Sequence, residues 1–270
     1  MKTNEKDIKK MADKTFVINI TIKKDDVLKE YQNSLKSVQS EFSSKGFRKG
    51  KVPLDVVEQQ VSQEHIIEDV ASNLISKAYS EKIQESGLKP IIQPQVNFKN
   101  PPASFEKDWE IELTGCELPE LKLNEKFAAE IKKINAAENK EENKTIDEMI
   151  DVLVKNSKVE LPSILVDSDI QHHFNHLVEQ ANQAGTTIDQ YLKDKKQTIE
   201  QYKETLKSQI EKEWTINLAI SKVAENQKIE ITQKEITELT SNNPQLASNI
   251  NFVHYLLIQQ KVFEYLKTLL

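Results

Sequence analysis

The residues best suited to chemistry lie in one short run, Lys45-Gly46-Phe47-Arg48-Lys49-Gly50-Lys51-Val52-Pro53. Two glycines bracket an aromatic residue and two adjacent cations, and a third cation and a proline follow. Glycine reaches backbone conformations closed to other residues, so this spacing allows a tight, protruding turn. Arg48 is the single arginine of the chain. Its guanidinium can grip a phosphate through paired hydrogen bonds, while Lys49 and Lys51 add point charges. Phe47 could bury its ring against a partner, which contributes about 1.5–3 kcal/mol when fully desolvated. Two placements of Phe47 fit these residues. Either it stands at the tip of a docking loop, or it folds back into the core beneath a solvated loop of the Gly- and Lys-rich kind.

Other constellations carry less. A nucleotide-binding phosphate loop needs four residues between its glycines and Ser or Thr after the lysine. Here three residues separate Gly46 from Gly50, and Val52 follows Lys51. His172 and His176, and Asp169 and His173, have spacings that could pair metal ligands on one helix face. No HExxH pattern or cysteine supports them, and they read as exposed positions beside an apolar stripe of Ile170, Phe174 and Leu177. Trp109 and Trp214 sit in apolar stripes and read as packing residues. Glu141 and Glu142 read as solvated charge, and no Ser/His/Asp arrangement has a local signature. The expectation is no catalytic residue, no metal and no cofactor.

The docking run must be held by its flanks. Thr15 to Ile22 alternates, with Phe16, Ile18, Ile20 and Ile22 on one face of a strand. Asp25 or Asp26 can cap a helix carrying Leu28, Tyr31, Leu35, Val38 and Phe42, which Gly46 would end. Pro53 suits the first turn of the next helix. A second stripe, Ile66 or Ile67, Val70, Leu74, Ala78 and Ile83, stops at Gly87 and Pro90. Ile92, Val96 and Phe98 then form a strand that Pro94 assigns to an edge. After a Pro101-Pro102 turn, Phe105, Trp109, Ile111 and Leu113 alternate. The fold class expected is an α+β N-terminal domain, helices on a small antiparallel sheet, over residues 1–134, with an extended arm from Leu118 to Ile134.

Residues 135–145 form a polar linker beginning NAAENKEENK at Asn135. Residues 146–270 read as an elongated all-α C-terminal domain. Its stripes are Ile146, Ile150, Leu153 and Val154; Ile170, Phe174, Leu177 and Val178, from Pro162 to Gly185; and a short turn with Ile188, Tyr191 and Leu192. A long helix carries Ile199, Tyr202, Leu206, Ile210, Trp214, Asn217 and Ile220. Thr232-Gln233-Lys234-Glu235 matches a capping box, Pro244 breaks the chain, and a last helix carries Phe252, Leu256, Phe263, Leu266 and Leu270.

Composition agrees. Of 270 residues, 30% are charged, 6% aromatic and only 5 are Gly, which suits helices better than a Gly-rich barrel. A net charge of −6 argues against broad coating of nucleic acid, so any RNA contact must be local. One cysteine, Cys116, excludes an intrachain disulfide. No apolar run suits a signal peptide or a membrane helix, so a cytoplasmic protein without a membrane partner is expected.

GFRKGKVP, between two amphipathic helices, resembles the ribosome-binding signature of the trigger factor family. The opening strand, long helix, loop, helix pair and two strands around a Pro-Pro turn follow the same order. Val159-Glu160-Leu161-Pro162 to Val166-Asp167-Ser168-Asp169-Ile170 is similar to a stretch of that family's helical C-terminal domain. The resemblance implies an ATP-independent chaperone. It would dock on a ribosomal protein and rRNA near the nascent-chain exit and shelter unfolded or nascent polypeptides. It assigns docking to Phe47, Arg48 and Lys49, with Gly46, Gly50, Lys51 and Pro53 shaping the loop. Family members usually carry a prolyl isomerase domain of about 100 residues between arm and helical domain. The segment from Ile134 to Ile146 has no room for one, so no isomerase activity is expected. The alternative is a helical scaffold protein that keeps only the ribosome- or RNA-contacting fold.

Overall fold

The computed structural model describes residues 8–100, 107–137 and 142–269, with 142–144 described by backbone alone. The chain divides into two compact units, Met1–Leu118 and Pro119–Leu270.

The first unit is a four-stranded antiparallel sheet of order β1-β2-β4-β3 with helices on one face. Its strands are β1 (Ile8–Lys10), β2 (Thr15–Ile22), β3 (Gln95–Phe98) and β4 (Trp109–Cys116). The helices are α1 (Lys24–Glu41), α2 (Leu54–Gln60) and α3 (Gln63–Ser86). Alternation in β2 buries Phe16, Ile18, Ile20 and Ile22 against Val27, Tyr31, Val70 and Ile75 of the helices. The register sets Phe16 opposite Gly115, and a Cβ at Gly115 would lie 2.6 Å from the Phe16 ring. A side chain at that position would displace the ring. The strand β3 is an edge, as expected, but it begins at Gln95, so Ile92 and Pro94 lie outside it.

Several local expectations are corrected. The strand β1 was not anticipated; its three residues are mostly charged, and pairing with β2 alone defines it. In α1 the buried stripe runs through Val27, Tyr31 and Leu35, leaving Leu28 exposed. Neither Asp25 nor Asp26 caps α1; Lys23 holds the cap position, and Asp108 Oδ1 accepts from the Lys24 amide at 3.0 Å. The helix ends at Glu41 rather than at Gly46. Pro53 stands one residue before α2, at its cap. The Pro101-Pro102 turn and Phe105 lie outside the described residues.

The second unit begins sooner than composition suggested. Residues after Leu118 do not run on as an extended arm: β5 (Lys122–Leu123) is followed by α4 (Lys126–Asn135). Phe127 and Ile131 of α4 recur at helical spacing and are buried with Met149, Leu153, Val223 and Leu266. Burial of that stripe assigns α4 to the helical unit, so the division falls at Leu118 and not at Ile134. Asn135 is the last residue of α4 rather than linker, and α5 (Glu142–Lys155) has begun within the segment assigned to it. Residues 138–141 lie outside the described part.

Beyond α5 come β6 (Ser157–Lys158), α6 (Ser163–Gln183), α7 (Ile188–Asp194), α8 (Ile199–Asn226), α9 (Gln233–Asn242), a 3₁₀ turn (Pro244–Ser248) and α10 (Ile250–Lys267). The unit is helical, as expected, and carries one two-residue ladder in which β6 pairs with β5. Thr232 and Glu235 form the expected capping box, and Thr198 with Gln201 form a second. Helix α8 packs against α5, α6 and α10. Polar bonds fix these faces: Trp214 Nε1 donates to Asp169 Oδ2 at 2.6 Å, and Tyr255 Oη to Asn217 Oδ1 at 2.7 Å. On α10, Phe263 and Leu266 of the expected stripe are buried together with Val253, Leu257 and Val262, while Phe252 at its start is exposed and Leu270 lies outside the described residues.

Candidate functional site

The loop between α1 and α2 is closed at its base by backbone. The Gly50 amide donates to the Phe42 carbonyl at 3.0 Å, drawing the two ends of the loop together. Within it, the Phe47 amide donates to Ser44 O at 3.0 Å and the Lys51 amide to Arg48 O at 2.9 Å. Gln39 Nε2 of α1 reaches across to Val52 O at 2.7 Å, and Val52 is fully buried. The loop therefore leaves the helical body and re-enters it at fixed points.

The glycines have different reasons to be glycine. Gly46 has φ +94° and Gly50 φ +74°, both left-handed. A Cβ at Gly46 would meet open space, so only its backbone is constrained. A Cβ at Gly50 would also stand 3.0 Å from the Ser40 carbonyl oxygen, so there the helix itself excludes a side chain.

This frame presents Phe47 outward. The ring is 46% exposed, which decides between the two placements: it is not folded into the core. Lys45, Arg48, Lys49 and Lys51 are exposed around it. Lys49 pairs with Glu41 of α1, an exposed contact of the kind worth little in water. Among the described residues, Arg48 and Lys51 form no ion pair. Their charge is available to an incoming anion.

The platform below is tied by Tyr31, whose hydroxyl donates to Glu58 Oε1 at 2.8 Å and so links α1 to α2. Desolvation first, and the Glu58 carboxylate second, push the Tyr31 hydroxyl up to about 12. Neither Gln39 nor Glu41 was singled out in the sequence. Both lie off the apolar stripe of α1, and only the return of the loop gives them partners.

Other candidates do not assemble. His172, His173 and His176 are exposed on α6. Asp169 is occupied by Trp214. Among the described residues, no group of three or more His, Cys, Asp or Glu side chains could hold a metal ion. No described helix is long and apolar enough to cross a membrane.

Two family models match. One, described as bacterial trigger factor protein (TF), covers residues 1–153, and the other, its C-terminus, covers residues 122–267. The chain belongs to the trigger factor family. A trigger factor of Staphylococcus carnosus is 34% identical over 120 residues, 44% of this chain and 27% of that protein. One of Staphylococcus epidermidis is 31% identical over 153 residues, 57% of this chain and 33% of that protein. The matches thus span a third or less of these relatives' length. A solved chain from work on promiscuous substrate recognition in folding and assembly activities of the trigger factor chaperone superposes with a TM-score of 0.61. It covers 96% of this chain and 98% of that one at 9% identity, a likeness of fold. Small sheet with helices, then a helical unit, is the architecture of this trigger factor family member.

Proposed function

We propose that this chain is an ATP-independent, ribosome-associated chaperone of the cytoplasm that docks through residues 46–53 near the nascent-chain exit and holds unfolded polypeptides on its helical unit. The observation that carries the reading is the exposed Phe47 beside an unpaired Arg48, on a loop closed by Gly50 and Phe42. An aromatic ring supplies apolar contact, the guanidinium grips phosphate, and the glycine-shaped base keeps both presented. Lys49, Lys51 and Pro53 complete the docking element.

Holding needs no covalent chemistry: weak apolar contacts form and release without fuel. Ile250 and Phe252, at the start of α10, are exposed and suit such contact. The chain carries no isomerase domain between its matched halves. The two family matches overlap over residues 122–153, which supports this part of the reading because no residues are left between them.

Cosedimentation with ribosomes tests the docking step. A triple Ala change at Phe47, Arg48 and Lys49 should move the protein from pellet to supernatant while its far-ultraviolet circular dichroism stays unchanged. Equal pelleting of a folded triple variant would refute the assignment.

A further inference from the structure

The short ladder between β5 and β6 sets like charges face to face. Lys122 lies directly opposite Lys158, and the only other pair is Leu123 with Ser157. Antiparallel partners hold their Cβ atoms about 4.5–5.5 Å apart, where like charges destabilise the pair. So short a ladder has little stability of its own with which to offset this. Both lysines are exposed, and among the described residues neither forms an ion pair. Lys155 stands beside them with its Nζ 3.0 Å from Glu130 Oε2. Together they line an open groove of about 410 Å³ with Asn124, Asn156 and Ser157.

The polar groups of the groove sort by commitments already made. Asn156 Nδ2 donates to Val152 O at 2.9 Å, and Ser157 Oγ donates to Leu153 O at 2.7 Å. Asn124 Oδ1 accepts from the Lys126 amide at 3.0 Å, leaving its Nδ2 without an acceptor among the described residues. The uncommitted donors are thus two ammonium groups and one amide. A ligand that satisfies them brings negatively charged acceptor oxygens.

Size and charge narrow the ligand. The groove lining holds no arginine to grip a phosphate and no aromatic ring to stack on a base, and the net charge of −6 opposes a long polyanion. Glu120 and Glu160 are exposed two positions along the chain from Lys122 and Lys158, and their charge would oppose a longer anion. We infer that this groove receives the side-chain carboxylates of a short acidic segment of a polypeptide. The inference rests on the reading that the chain holds unfolded polypeptides. It gives that holding a second mode, complementary to apolar contact.

The test uses the full chain at low salt and fluorescence anisotropy. The probes are a labelled unstructured peptide with four Glu residues among Gly and Ser, and its Gln counterpart. Wild type should bind the Glu peptide at least about fivefold more tightly than the Gln peptide. Lys122→Gln with Lys158→Gln should abolish the difference. The thermal midpoint should stay unchanged or rise, because the repulsion is gone, and suppression of aggregation of a denatured protein should persist. Equal affinity of wild type for the two peptides, or a preference that survives the double change, would overturn the site. Displacement of the peptide by inorganic phosphate at matched charge would also overturn it, by reducing it to a small-anion site. Failure of both proteins to suppress aggregation, with wild type preferring the Glu peptide and the double variant not, would instead remove the holding role and leave the groove standing.

Discussion

Phe47 and Gly50 do opposite work in one loop: one is free to meet a partner, the other is where the loop meets its own helix. Phe47→Ala should therefore weaken ribosome binding more than tenfold, about 1.4 kcal/mol being tenfold, with little change in the thermal midpoint, because Phe47 is not part of the core cluster. Lys51→Ala should weaken it less. Quantitative cosedimentation across the variants checks both, and a folded Phe47→Ala protein with wild-type affinity would exclude the ring from the interface. Gly50→Ala should destabilise the first unit by about 1–2 kcal/mol, the usual left-handed penalty, with the Ser40 oxygen adding to it. Gly46→Ala, which meets no atom, should cost less in the same denaturant titration. A reversed order would show that the 3.0 Å approach at Gly50 relaxes without strain. That a glycine-bounded loop joins the two helices was legible in the sequence, whereas the outward placement of Phe47 was one of two that the residues allowed. Which glycine is structurally essential was not legible, because the Ser40 carbonyl comes into play only after α1 and the loop fold against each other.

Helix termini carry the element-scale consequences. Asn135 Nδ2 donates to the carbonyls of Leu266, Lys267 and Leu269 at 2.9, 3.4 and 2.7 Å, so the end of α4 caps the end of α10. Asn135→Ala should destabilise the second unit by about 1–2 kcal/mol, in line with lost hydrogen bonds to orphan carbonyls. Hydrogen exchange should then quicken in the last turn of α10 before anywhere else. Unchanged exchange there would mean that water replaces the amide at no cost. At the other end, Glu235 caps α9 while its carboxylate meets Lys261 Nζ at 2.7 Å. The Lys261 hydrogen bond foremost, with the Thr232 amide and hydroxyl, lowers the Glu235 carboxyl from 4.5 to about 2. A depressed acid stabilises the fold when ionised. Its contribution is thus complete above pH 4.5 and fades as pH falls toward 2. Glu235→Gln should flatten that part of the melting-temperature profile; an identical acid limb in the variant would count against it. The capping box was visible as Thr-x-x-Glu, whereas the Lys261 contact depends on how α10 folds back onto α9. Likewise Phe127 and Ile131 show helical spacing, but Asn135 looked like linker because its partners lie at the far end of the unit.

Over the whole molecule, the acidic balance and the small cationic loop predict how docking responds to salt. Arg48, Lys49 and Lys51 offer at most three phosphate contacts. The log–log slope of affinity against salt should be no steeper than about −3, at roughly −0.9 per contact on duplex and −0.7 on single strands. A much steeper slope would transfer the attachment to lysines elsewhere. The purified chain should also leave X-Pro isomerisation in a test peptide at its uncatalysed rate; reproducible catalysis would contradict the reading. The two units differ in how far along the chain each finds its partners. The core of the first is complete within residues 16–113. The second joins Leu121 to Leu266 in one core, and its Asn135–Leu269 bond spans 134 positions. Closing loops of that length delays folding, and synthesis imposes a schedule of its own. A chain emerging amino end first can finish its sheet and docking loop while the second core still lacks α10. A protein proposed to meet unfinished chains at the exit thus passes through the same condition itself: for the last part of its own synthesis, its helical half has its apolar faces uncovered.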